Sequence, residues 1–151
     1  MGYTFGEIMM EANSTTHPRR KAREATMQAL YALEINKGFP QDVLDLCDDS
    51  FNNSENDVYT KKLFNCVVEK KSWADDLISE CLENWEYGRV AILDKILLRM
   101  GVSEIYHMED VPPKVSISEM VEIAKVYSTE ESSSFVNGIL DTIYKNFSEN
   151  N

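Results

Sequence analysis

Apolar side chains recur every three or four positions along most of this chain, and that period leaves room for little except helices. Ala22, Ala25, Ala29, Leu30 and Leu33 mark a first helix opened by Pro18 and running to Lys37. A missing N–H costs nothing in a first helical turn. Gly38, with Pro40 just beyond, is the expected terminator. Val43, Leu44, Leu46 and Cys47 predict a short second helix, followed by an Asn-rich loop over 50–57. Val58, Tyr59, Leu63, Cys66 and Val67 predict a third, and Trp73, Leu77, Cys81 and Trp85 a fourth. After Gly88, the residues Leu93, Ile96, Leu97, Met100, Ile105 and Met108 predict a long apolar fifth helix. Gly101 inside it costs about 1 kcal/mol relative to Ala, which points to a close helix–helix approach. Asp110-Val111-Pro112-Pro113 is a stop and restart, and Ile117, Met120, Val121, Ala124 and Tyr127 define a sixth helix. Thr129 is placed to cap a seventh, striped by Val136, Ile139, Leu140, Ile143 and Phe147. Asn137-Gly138 would elsewhere mark a turn, but the apolar period runs through it. No strand-like alternation competes, so the expected fold is all-α, about seven helices in a bundle.

A chain of 151 residues can bury a sizeable core without disulfides or metal. The expected organisation is a flexible extension over 1–18 and two packed helical subdomains, 19–87 and 88–148. Three cysteines, Cys47, Cys66 and Cys81, form no close pair and read as reduced, buried or half-buried thiols. His17 and His107 lie at no zinc-ligand spacing, and no cofactor is expected. No apolar run reaches the ~20 residues that span a bilayer, and the first residues do not form a secretory signal, so a cytoplasmic protein is expected.

The net charge of −11 is unevenly spread. Arg19, Arg20, Lys21 and Arg23 fall within five positions, whereas from Glu24 onward there are 11 basic against 24 acidic side chains. A helix N-terminus already carries partial positive charge, so cations crowded there call for an anion. Arginine's planar fork suits phosphate. Four phosphate contacts on a single strand would give a salt slope of about −2.8. The competing reading is a solvated basic arm. Phe135, in Ser132-Ser133-Ser134-Phe135, is either a core aromatic in step with Ile139 or an exposed ring for stacking on an unpaired base. Phosphate-loop, dinucleotide, nucleophile-elbow and zinc-protease motifs are missing, which argues against an enzyme. The carboxylate pairs Asp75/Asp76, Glu119/Glu122 and Glu130/Glu131 read as solvated surface.

Several strings, taken in order, resemble the NusB family of bacterial transcription antitermination factors. Residues 19–31 (Arg-Arg-Lys-Ala-Arg-Glu-Ala-Thr-Met-Gln-Ala-Leu-Tyr) resemble its first helix. Trp85 to Arg99, with Arg89, Asp94-Lys95, Ile96-Leu97 and Arg99, resembles a second segment, and Asp110 to Lys125 a third. Phe135-Val136-Asn137-Gly138-Ile139-Leu140-Asp141 resembles its most recognisable string. The resemblance implies a non-enzymatic factor that pairs with NusE, a small-subunit ribosomal protein. The pair would bind boxA-type single-stranded RNA and join other Nus factors on RNA polymerase, notably during ribosomal RNA transcription. It implies RNA-binding roles for Arg19, Arg20, Lys21, Arg23, Glu131 and Phe135, and contact with NusE for Tyr31 and Asp94. Homodimerisation, known in some relatives, is left open. Departures are the acidic body, the extension, Lys21 where arginine is common, and Pro113 where an aromatic is common. They leave standing an alternative, a protein–protein adaptor of the same fold with little RNA affinity of its own.

Overall fold

The structure is a computed structural model, and it describes residues 19–48, 55–83 and 86–150. Among these, seven α-helices and no strand are present: α1 (Arg20–Asn36), α2 (Pro40–Asp48), α3 (Glu55–Glu69), α4 (Lys71–Glu80), α5 (Ile92–His107), α6 (Pro113–Tyr127) and α7 (Glu130–Asn150). A single 3-10 turn, Tyr87–Arg89, leads into α5. No helix among the described residues is long and apolar enough to cross a membrane.

α5 is the axis of the fold. Its side chains from Ile96 to Ile105 are all buried, and it packs against α1, α3, α4, α6 and α7. A helix buried on every side belongs in the middle of a bundle. Gly101 serves this arrangement: a Cβ there would sit 2.7 Å from Leu140 Cδ1 of α7, so its absence sets how closely the two helices approach. Ala22, Met27 and Leu30 of α1, Leu63 and Phe64 of α3, Ile78 of α4, Met120 and Ile123 of α6, and Val136 and Leu140 of α7 close one continuous core around it. At one edge Tyr106 packs edge-on to Trp73 and Phe147, with ring centroids 5.2 and 4.8 Å away.

Most boundaries follow local chemistry. Thr129 Oγ1 accepts the Ser132 backbone N–H at 3.0 Å and caps α7, while Pro113 occupies the first turn of α6, where its missing N–H is harmless. Cys66 and Cys81 are free and half-buried, while the Cys47 side chain lies outside the described residues.

Four boundaries differ from the sequence expectation. α1 begins at Arg20 with Arg19 at its N-cap, not at Pro18, which lies outside the described residues. α1 ends at Asn36, one residue earlier than expected: Lys37, not Gly38, takes the left-handed conformation (φ 51°) and returns its N–H to the Leu33 carbonyl. α3 begins at Glu55, inside the segment expected to be loop. α4 stops at Glu80, where the Cys81 and Leu82 N–H groups turn back to the Ile78 and Ser79 carbonyls; Trp85, expected to extend its stripe, lies outside the described residues, as do 1–18 and 49–54.

Candidate nucleic-acid and partner interface

The basic run opens α1, and the helix divides it between two faces. Arg20 and Arg23 are three residues apart and continue the stripe of Met27 and Leu30, so they point inward. Lys21 lies on the other side and is exposed. Arg23 has no solvent exposure: its Nε donates to Glu104 Oε2 at 2.7 Å and its Nη1 to Glu119 Oε1 at 3.4 Å. Arg20 forms a two-pronged pair with Glu119, Nε to Oε1 at 2.9 Å and Nη2 to Oε2 at 2.5 Å. Those hydrogen bonds hold its guanidinium above the usual arginine range. The Tyr59 hydroxyl donates to Glu104 Oε2 at 2.5 Å, and burial raises the phenol well above its ordinary pKa. Arg19, at the rim, lies over the Tyr59 ring, 4.2 Å from its centroid, and donates to Asp110 Oδ2 at 2.9 Å.

The anion demanded by this helix start is therefore supplied by the chain itself. Glu119, expected as solvated surface, is buried, and Asp75 is half-buried against Arg99 (Oδ1 to Nε 2.7 Å) and the Tyr87 hydroxyl. Asp76, Glu130 and Glu131 are exposed, as expected. A third carboxyl, Glu24, lies in the buried cluster facing Arg20 and the Tyr127 hydroxyl, and burial pushes its pKa up to about 7.

Phe135 lies at the other end of the axial helix. It is half-buried against the core and walls a cleft of about 280 Å³ with Arg89, Val90, Ala91, Asp94, Thr129, Glu131 and Ser132. Asp94 is its buried floor: Oδ2 accepts from Ser132 Oγ at 3.1 Å, Oδ1 has no hydrogen-bond partner among the described residues, and burial raises its pKa. Arg89 stands at the rim with most of its side chain in solvent. Across Ala91 the cleft adjoins a larger, mostly apolar groove of about 670 Å³, lined by Met27, Gln28, Tyr31, Ile92, Leu93 and Tyr127. Tyr31 and Ile92 are 44% and 39% exposed there, side by side on one groove.

The expected site residues thus form two groups. Glu131, Phe135, Asp94 and Tyr31 gather at the start of α5; Arg19, Arg20, Lys21 and Arg23 gather near its far end. Asp94 and Glu104 are separated by about 15 Å of helix rise. Residues that sequence reasoning did not single out as a site are Asp110, Glu104, Glu119 and Tyr59, whose contacts with the arginines cross long sequence separations, and Arg89 at the cleft rim. The only local signal for the first group was the register that puts Arg20 and Arg23 on the apolar stripe of α1. No group of His, Cys, Asp and Glu suited to a metal occurs among the described residues.

A seven-helix bundle with a partly exposed apolar groove, an adjoining aromatic cleft and a basic edge defines a small helical binding module. The NusB family model matches residues 20–145. A transcription antitermination protein NusB from Chloroherpeton thalassium is 43% identical over 128 residues, 83% of this chain; the chain spans 61% of that protein's length. A solved T. maritima NusB superposes with a TM-score of 0.78 at 35% identity, covering 87% of this chain and 93% of that one. A solved complex of antitermination factors NusB and NusE with double-stranded RNA contains a chain matching at TM-score 0.77 and 26% identity, over 84% of this chain and 96% of that one. This chain belongs to the NusB family; its function is transcription antitermination, and it is not an enzyme.

Proposed function

We propose that this chain acts in the cytoplasm as an RNA-binding half of a heterodimer with NusE. The pair engages boxA-type RNA and joins RNA polymerase with other Nus factors to keep transcription of ribosomal RNA operons processive. The observation that carries this reading is the junction at Ala91 between the Tyr31 groove and the Phe135 cleft. One apolar face with partly exposed Tyr31 and Ile92 suits a protein partner. The neighbouring cleft, with an aromatic wall and Arg89 at its rim, suits an unpaired base and its phosphate. RNA bound there would run beside the partner, so each would add contact area for the other. A solved relative is a complex of antitermination factors NusB and NusE with double-stranded RNA, which supports association with both kinds of partner.

One observation favours the adaptor reading: two of the four clustered cations are neutralised inside the fold. Fluorescence anisotropy of a labelled boxA-type RNA, beside a scrambled RNA, across a salt series and with or without NusE, separates the two. Tighter, sequence-selective, salt-sensitive binding with NusE present is the expected result. Association of the two proteins with no selective RNA binding would give the role to the adaptor.

A further inference from the structure

We infer that Arg20 and Arg23 are positioning residues, and that the cations meeting RNA phosphate at this end of the molecule are Arg19 and Lys21. The inference rests on the RNA-binding reading and divides its basic run by role. Arg23 is fully buried, and its Nε pairs with Glu104, which is also fully buried. Drawing that guanidinium out to a phosphate would leave Glu104 charged and unpaired in the core, a penalty that one phosphate hydrogen bond does not offset. Arg20 is held by both oxygens of Glu119, with 11% of its side chain exposed. Glu119 also reaches Arg23, so freeing either arginine unbalances the other.

What the pair does instead is visible in its continuation to the surface. Glu104, fixed by Arg23, accepts the Tyr59 hydroxyl, and the Tyr59 ring supports the Arg19 guanidinium. Arg19 is thereby held over one face of an aromatic ring with a third of its side chain in solvent. Its partner Asp110 is itself 56% exposed and can be exchanged for phosphate. Lys21, two positions on, is exposed on a different side of α1. Two buried arginines thus fix the pitch of the helix start, and two outer cations carry its charge into solvent.

The experiment compares full-length variants by anisotropy with a fluorescein-labelled single-stranded boxA-type RNA across a salt series. Arg19→Gln and Lys21→Gln should each reduce the magnitude of the salt slope by about 0.7, the value of one lost phosphate contact on a single strand. Arg20→Met combined with Glu119→Met replaces the pair by apolar side chains of similar length, keeps Arg23 on Glu104 and costs it the longer, 3.4 Å contact with Glu119. It should keep the slope and hold the dissociation constant within about twofold of wild type. A folded double variant whose slope falls as it does for Lys21→Gln would overturn the inference.

A second measurement needs no variant. Phenylglyoxal should modify Arg19 in the free protein and less in the RNA complex, while Arg20 and Arg23 stay unreactive in both. Ready modification of Arg20 or Arg23 in the free protein, or their protection by RNA, would overturn the assignment even if the double variant did not fold. Failure of the wild type to bind any RNA would remove the RNA role of Arg19 and Lys21, and with it the inference as stated. The reagent would still report burial of the two inner arginines, so that failure is distinguishable from a failure of the clamp.

Discussion

At the residue scale, the outer pair Arg19–Asp110 is where the chain's own charge competes with a ligand. The pair is largely exposed, and such pairs contribute about 1 kcal/mol or less. Asp110→Asn removes the competitor and one repulsive charge without touching the buried pairs. RNA affinity should rise by up to about fivefold, measured by anisotropy at fixed salt; unchanged or weaker binding would show that Arg19 does not face RNA. Glu24 tests the buried cluster from inside. Its carboxyl titrates near pH 7 in the folded chain against an ordinary 4.5, so the folded state binds the extra proton. That stabilisation is complete below pH 4.5 and is lost as pH rises through about 7, a change of about 3 kcal/mol. Glu24→Gln imitates the protonated form. The stability difference between Glu24→Gln and wild type should therefore widen in the variant's favour from pH 4.5 to 7, read by urea denaturation at each pH. A constant difference would show that Glu24 is ionised throughout this range.

At the element scale, the helices were legible from their apolar stripes, and two of them also from local punctuation. Thr129 before α7 and Pro112-Pro113 before α6 announce their helices with residues whose roles are local. The end of α1 was less legible because Lys37 and Gly38 are adjacent and the left-handed position can fall on either; the helix takes it at Lys37. That choice leaves a removable strain, since a side chain in the left-handed region costs about 1 kcal/mol more than glycine. Lys37→Gly also loses a cation from the helix C-terminus, which offsets part of the gain. The net expectation is stabilisation by about 0.5 kcal/mol, seen as a rise of roughly 1–2 °C in melting temperature. The site was less legible than the helices. Burial of Glu119 follows from a pairing with Arg20 across 99 residues, which no local pattern contains. The inward face of Arg20 and Arg23 was readable in principle from their register with Met27 and Leu30, but four adjacent cations read more naturally as one surface.

At the scale of the whole molecule, RNA meets a body of net charge −11 bearing a small positive edge. These two features act over different distances. Contacts between Arg19 or Lys21 and phosphate work at a few ångströms, where added salt competes with them directly. Repulsion from the body works at long range and is governed by the Debye length, about 8 Å at physiological salt and about 30 Å at 0.01 M. Above ~0.1 M the body is screened, and three phosphate contacts, from Arg19, Lys21 and the cleft's Arg89, should set a salt slope of about −2.1, three quarters of that expected from four basic-run contacts. As salt falls, the contacts strengthen, but the repulsive field expands to cover the approaching strand. The plot of log affinity against log salt should therefore flatten for the free chain below ~0.05 M. Under the heterodimer reading, bound NusE on the apolar Tyr31 groove adds phosphate contacts of its own beside the cleft. The complex should keep a straighter and steeper line over the same range. Anisotropy titrations of free chain and complex from about 0.02 to 0.3 M test this directly. A free chain whose line stays straight and as steep as that of the complex would mean the acidic body is never felt by RNA, and that the basic edge alone governs binding.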